Sequence, residues 1–150
     1  MEPVAQSLPT EALWKRLQDT PTLSDYLTEN ETALDTPMFC AYISALCRMR
    51  GELAEHVIRR AGIERSFGHQ LFKGTRRPSR DTALLLAFGF GADIGLAQSL
   101  LRHAQQPLLY PRNRRDAAII YCLFHRYGVV QTQNELAERG FRLIGPDRQK

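Results

Sequence analysis

Four apolar-periodic segments between residues 37 and 91 are separated by Gly51, Gly62, Gly74 and Pro78. This punctuation constrains the fold more than any other feature of the chain. Glycine ends helices in the left-handed region, and proline suits a helix's first turn but not its interior. The segments must therefore be short helices joined by tight turns. "PMFCAYISALCRMR" (37–50) repeats Phe39, Tyr42, Ile43, Leu46 and Met49 at spacings of three and four, the mark of an amphipathic helix. "ELAEHVIRRA" (52–61) turns Leu53, Val57 and Ala61 to one side, and "ERSFGHQLF" (64–72) is a third helix closed by Gly74. "SRDTALLLAFGFG" (79–91) restarts after Pro78, with Ser79 or Asp81 as its cap. "DIGLAQSLLRHA" (93–104) starts on Asp93 and points Leu96, Leu100 and Leu101 inward. Alternating β-branched runs are missing; the nearest is the short "GVVQTQ" at 128–133. The expected fold class is all-α, with a five-helix centre.

Both flanks read as helical too. "PTEALWKRLQD" (9–19) and "TLSDYLTENETAL" (22–34) break at Thr20-Pro21, and Thr36-Pro37 is a stop and restart. "QQPLLYP" (105–111) is a linker of turn and extended character. It is followed by helices over 112–128 and 131–140, with fraying expected past Gly145. The expected organisation is an acidic helical extension (1–36), a central domain (37–106) and a helical tail (107–150).

Charge divides along the same lines. Residues 1–36 hold seven acids and two bases, net −5; residues 37–150 hold eighteen bases and nine acids, net +9. A basic body behind an acidic arm favours a polyanion as partner. The arm is either a packed helical lid or a shield over the basic face. Cys40, Cys47 and Cys122 are odd in number and form no CxxC pair, and His56, His69, His103 and His125 are scattered, so no metal site is expected. Reduced thiols, no signal-peptide core and no long apolar run point to a cytoplasmic chain without a membrane partner. Asp116, His125 and His103 lack partners for acid–base work, and no GxSxG, HExxH, Walker or dinucleotide motif occurs. No catalytic residue, no cofactor and no enzymatic activity is expected.

The spacing of Gly62-Ile63, Gly74 and Pro78-Ser79 resembles the lambda-repressor-like (XRE-type) helix-turn-helix family over residues 38–104. A longer likeness, "GHQLFKGTRRPSRD", "LAFGFG", "LYPRNRRDA" and a later Asn134 to Leu136, is similar to a group of bacterial helix-turn-helix proteins with that tail. The resemblance implies that Glu64 to Lys73 is a recognition helix entering the DNA major groove. It implies base contacts from Ser66, Phe67, His69 and Gln70. Gln70 has the amide that pairs with adenine, and Phe67 suits a thymine methyl. It implies phosphate contacts from Arg65, Lys73, Thr75, Arg76, Arg77, Ser79 and Arg80, aided by the helix amides at 79–82. Lys73, Arg76, Arg77 and Arg80 together predict neutralisation of roughly three to four phosphates, each adding ~0.9 to the salt slope. Gly68 departs from the family pattern, standing where an apolar anchor is usual; it either costs the helix ~1 kcal/mol relative to Ala or allows close backbone packing. Ala54, Cys47 and Phe72 also depart, each replacing a polar residue the family often carries.

Arg112, Arg114 and Arg115 form a second basic cluster, open to phosphates or an acidic protein. Alternatively, Asp116 pairs with Arg112 at four-residue spacing and the helix is structural. Ile119, Ile120, Leu123 and Phe124 then pack on the core or on a second copy, which suits a homodimer on paired half-sites. Two functions remain in view: a DNA-binding transcription regulator, and a helix-turn-helix adaptor that binds a protein through its tail or acidic arm.

Overall fold

The computed structural model describes residues 10–31, 34 and 38–145. The Thr36-Pro37 restart and the chain past Gly145 lie outside them. Among the described residues every regular element is an α-helix, so the fold is all-α. No helix there is long and apolar enough to cross a membrane. The chain divides into two compact units, 1–36 and 37–150.

The first unit holds α1 (Thr10–Asp19) and α2 (Leu23–Glu29). The Thr22 hydroxyl caps α2 by accepting from the Asp25 amide at 3.0 Å. Asn30 is buried; its side chain donates to the Tyr26 carbonyl and accepts from the Arg16 guanidinium. Tyr26 is buried, whereas Trp14, Leu17, Leu23 and Leu27 are exposed.

The second unit holds α3 (Phe39–Arg50), α4 (Ala54–Ala61), α5 (Arg65–Lys73), α6 (Arg80–Gly89), α7 (Ile94–His103), α8 (Arg114–Phe124) and α9 (Val129–Glu138). Its centre is α6, whose residues 82–89 are all buried. "TALLLAFG" is apolar on every side, and a helix of that kind is stable only when surrounded. The carbonyl end of α6 carries the negative pole of its dipole. Three arginines meet it: Arg60 donates to Gly89 O at 2.9 Å, Arg50 to Phe90 O at 2.7 Å and Arg126 to Gly91 O at 3.1 Å. Met49 and Leu53, expected inward, are exposed; Leu53 is the N-cap of α4 and precedes its buried face.

The tail is part of this unit rather than a separate segment. Two glutamines hold its extended stretches by imitating a peptide group. Gln98 accepts from the Leu109 amide at 2.8 Å and donates to the Leu109 carbonyl at 3.1 Å. Gln133 treats Ile144 in the same way, accepting at 2.9 Å and donating at 2.6 Å. Leu109, Ile119, Leu123, Leu136 and Ile144 thereby join one core with α3 to α7. Phe124, expected to pack with them, points out.

Candidate nucleic-acid interface

The site is built from the first turn of α5 onward. Glu64 is its N-cap: Oε2 accepts from the Ser66 amide at 3.0 Å and Oε1 from the Phe67 amide at 2.8 Å. Those two bonds hold its carboxyl below the usual glutamate range. An acid that phosphate would repel therefore serves the helix dipole instead. Phe67, Gly68 and Leu71 form the inner face of α5. A Cβ on Gly68 would stand 2.5 Å from Ile58 Cγ2, so only glycine permits this approach of α5 to α4. Gly74 ends the helix at φ +88°, where a Cβ would also meet Cys40 Sγ at 2.8 Å.

The inner face leaves Ser66, His69, Gln70 and Lys73 as the outer stripe, at spacings of three and four. Ser66 and Lys73 are exposed; His69 and Gln70 are half-buried. Thr75 follows, exposed, its hydroxyl 3.4 Å from the Gln70 carbonyl. Arg77 is exposed, and the Arg76 guanidinium lies over the Phe67 ring at 5.1 Å from its centre. Among the described residues, Lys73, Arg76 and Arg77 have no carboxylate partner within 4.0 Å. Arg65 sits at the edge of this surface and pairs with Glu55 at 3.3 Å, largely in solvent.

Four of the expected contact residues are placed elsewhere. Phe67 is 4% exposed and belongs to the core, because α5 places it on the inner face with Gly68 and Leu71. Ser79 is the N-cap of α6, its hydroxyl accepting from the Thr82 amide at 3.1 Å. That also engages one of the amides expected to attract phosphate. Arg80 points away from the loop and under the tail. It forks onto Asp116 at 2.8 and 3.0 Å and donates to the carbonyls of Pro107 and Leu108 at 2.9 and 3.0 Å. Arg115 pairs with Asp81 at 3.2 Å and donates to Arg142 O and Leu143 O. Asp116 thus pairs with Arg80, not Arg112, and Asp81 pairs with Arg115 rather than capping α6.

The result is a crossed double ion pair between two Arg-Asp dipeptides, 80–81 in α6 and 115–116 in α8. Burial pushes the Asp116 carboxyl up. The Arg80 hydrogen bonds, the Tyr110 amide and the charges of Arg80 and Arg115 outweigh it, and hold the carboxyl below the usual aspartate range. Gly145 N adds a bond to Asp81 at 3.2 Å. The repetition of Arg-Asp at the start of two helices is the one visible signal for this arrangement. Gln98 and Gln133 give none, because any exposed helix carries glutamines.

Of the second basic cluster, Arg112 and Arg114 remain exposed and without a carboxylate partner among the described residues. The scattered histidines are also placed. His103 stacks on Tyr42 with ring centres 3.8 Å apart, and burial lowers its pKa; the His125 ring lies tilted against Tyr121 with centres 4.0 Å apart. Among the described residues no three His, Cys, Asp or Glu side chains gather where an ion would sit. No family model, no curated protein and no solved structure matches the chain.

Proposed function

We propose that this chain is a sequence-specific DNA-binding transcription regulator of the lambda-repressor-like type. On this reading α3 to α7 are its five-helix core, α4 and α5 its helix-turn-helix pair, and α5 its recognition helix. One observation carries the reading. Arg50, Arg60 and Arg126 are held on carbonyls at the end of α6 and just past it, and Arg80 and Arg115 on carboxylates, whereas Lys73, Arg76 and Arg77, like Arg48, Arg59, Arg102, Arg112 and Arg114, have no carboxylate partner among the described residues. Lys73, Arg76 and Arg77 stand together at the end of α5, continuous with a stripe of uncharged hydrogen-bonding side chains. A phosphate rail beside base edges asks for that combination.

With Arg80 engaged elsewhere, three cations remain for phosphate. The logarithm of affinity for a random duplex should then fall with log salt at a slope of roughly −2.5 to −3 per protomer. Gln70→Ala should cost ~1–3 kcal/mol at one base pair and leave others alone. Equal loss on every sequence would refute a base-reading role for Gln70. Paired half-sites about 34 Å apart would require a homodimer. A monomer mass at micromolar concentration, with and without duplex, counts against it.

The adaptor reading is favoured by a different surface. Tyr121, Phe124 and Val130 on α8 and α9 are 52%, 67% and 75% exposed, an apolar display suited to a protein. An adaptor would bind random duplex weakly and with a shallow salt slope, so the same titration separates the two.

A further inference from the structure

We infer that the outer stripe of α5 selects a run of purines on one DNA strand; this rests on the DNA-binding reading above. The fold weighs against the alternatives. Cytosine offers the major groove a donor, its N4 amino group, and is read by a carboxylate; thymine offers a methyl and is read by an apolar side chain. The sequence holds one candidate for each at the head of α5, and the fold withdraws both. Each oxygen of Glu64 accepts from a backbone amide, of Ser66 or of Phe67, which turns the carboxylate onto the helix terminus rather than along the stripe. Phe67 is buried, and the Arg76 guanidinium covers its ring. Glu55, on the neighbouring α4, is paired with Arg65.

What remains outward is Ser66, His69, Gln70 and Lys73. Lys73, counted above as a phosphate contact, has only donors; turned to a base edge they match the paired O6 and N7 acceptors of guanine, and the salt slope then falls to roughly −1.8 per protomer. Gln70 has both donor and acceptor ends, which match N7 and N6 of adenine. A His69 ring N–H finds an acceptor at N7 of either purine. No side chain of the stripe is a carboxylate or a hydrocarbon. Ser66 and Lys73 are seven residues apart. At ~1.5 Å per residue the stripe is about 10 Å long, which spans roughly three base steps.

The test is a selection from a random duplex pool with the full chain at fixed salt. It is followed by binding to a selected duplex and to one of equal composition whose purines alternate between strands. The expected selection carries about three consecutive purines on one strand, and alternating them weakens binding by about 5- to 150-fold for each base no longer read. Gln70→Ala, checked for unchanged helicity, should flatten the preference at one position. Tight, salt-dependent binding with equal affinity for both duplexes, or a selected core fixed at cytosine or thymine on the contacted strand, overturns the purine run and leaves DNA binding standing. Salt-independent or undetectable binding to every duplex overturns both.

Discussion

The stretch "FKGTRRPSRD" contains two groups of cations that look alike in sequence and differ in the folded chain. Lys73, Arg76 and Arg77 lie on the surface without carboxylate partners among the described residues. Arg80, three residues on, is fixed to Asp116 with side-chain exposures of 23% and 6%. The difference lies in what the following chain covers. Pro78 and Ser79 turn the backbone into α6, the tail crosses over that turn, and whatever lies beneath the tail must satisfy its carbonyls. A cation outside it keeps its donors free of carboxylates; one beneath it is held by the tail's carbonyls and Asp116.

The widest separation between the groups should appear on truncation. Asp116→Ala leaves Arg80 mostly buried without its counter-charge, and should cost about 3–5 kcal/mol in urea unfolding. Replacing both, Arg80→Met with Asp116→Leu, should recover most of that, since an apolar pair of similar volume has no charge to desolvate. A double variant as unstable as Asp116→Ala would mean that the clasp acts through its carbonyl bonds instead.

Between the two groups, α5 depends on its own close approach to α4. Gly68→Ala should destabilise by ~1–3 kcal/mol through overpacking against Ile58. Adding Ile58→Ala should give less than the sum of the single effects, because the two changes share one space. Strict additivity would remove the steric explanation.

Acid should affect the clasp before the surface. The Asp116 pKa is lower folded than unfolded, so its contribution is fully present above the ordinary aspartate value near ~3.9 and is lost as pH falls through the folded value. Stability of the native chain should therefore decline below about pH 4, and Asp116→Asn should flatten that part of the curve. The smallest effect on folding belongs to the surface group. Arg77→Ala should change stability by no more than ~0.5 kcal/mol, while lowering the DNA salt slope by ~0.9. A large stability loss there would place Arg77 with Arg80.

Helix positions are legible in the sequence because they follow from local chemistry. Glycines at 51, 62 and 74, caps at Thr22, Ser79 and Asp93, and apolar spacing of three and four each act within one or two turns. The division of the basic residues is not legible. Arg76 and Arg80 carry the same group four positions apart, and only the Asp81 that follows Arg80, echoed by Arg115-Asp116, distinguishes them. Phe67 misleads for a related reason: its angular position on α5 has meaning only once Ile58 and Gly68 fix which side meets α4.

The amino-acid sequence thus determined an all-helical chain, its breaks, its caps and its surplus of positive charge, since propensity and turn geometry are properties of short segments. Only tertiary structure decided which charges are available. The crossed pairing of Arg80 with Asp116 and Asp81 with Arg115 joins residues more than thirty positions apart, and packing around α6 brings them together.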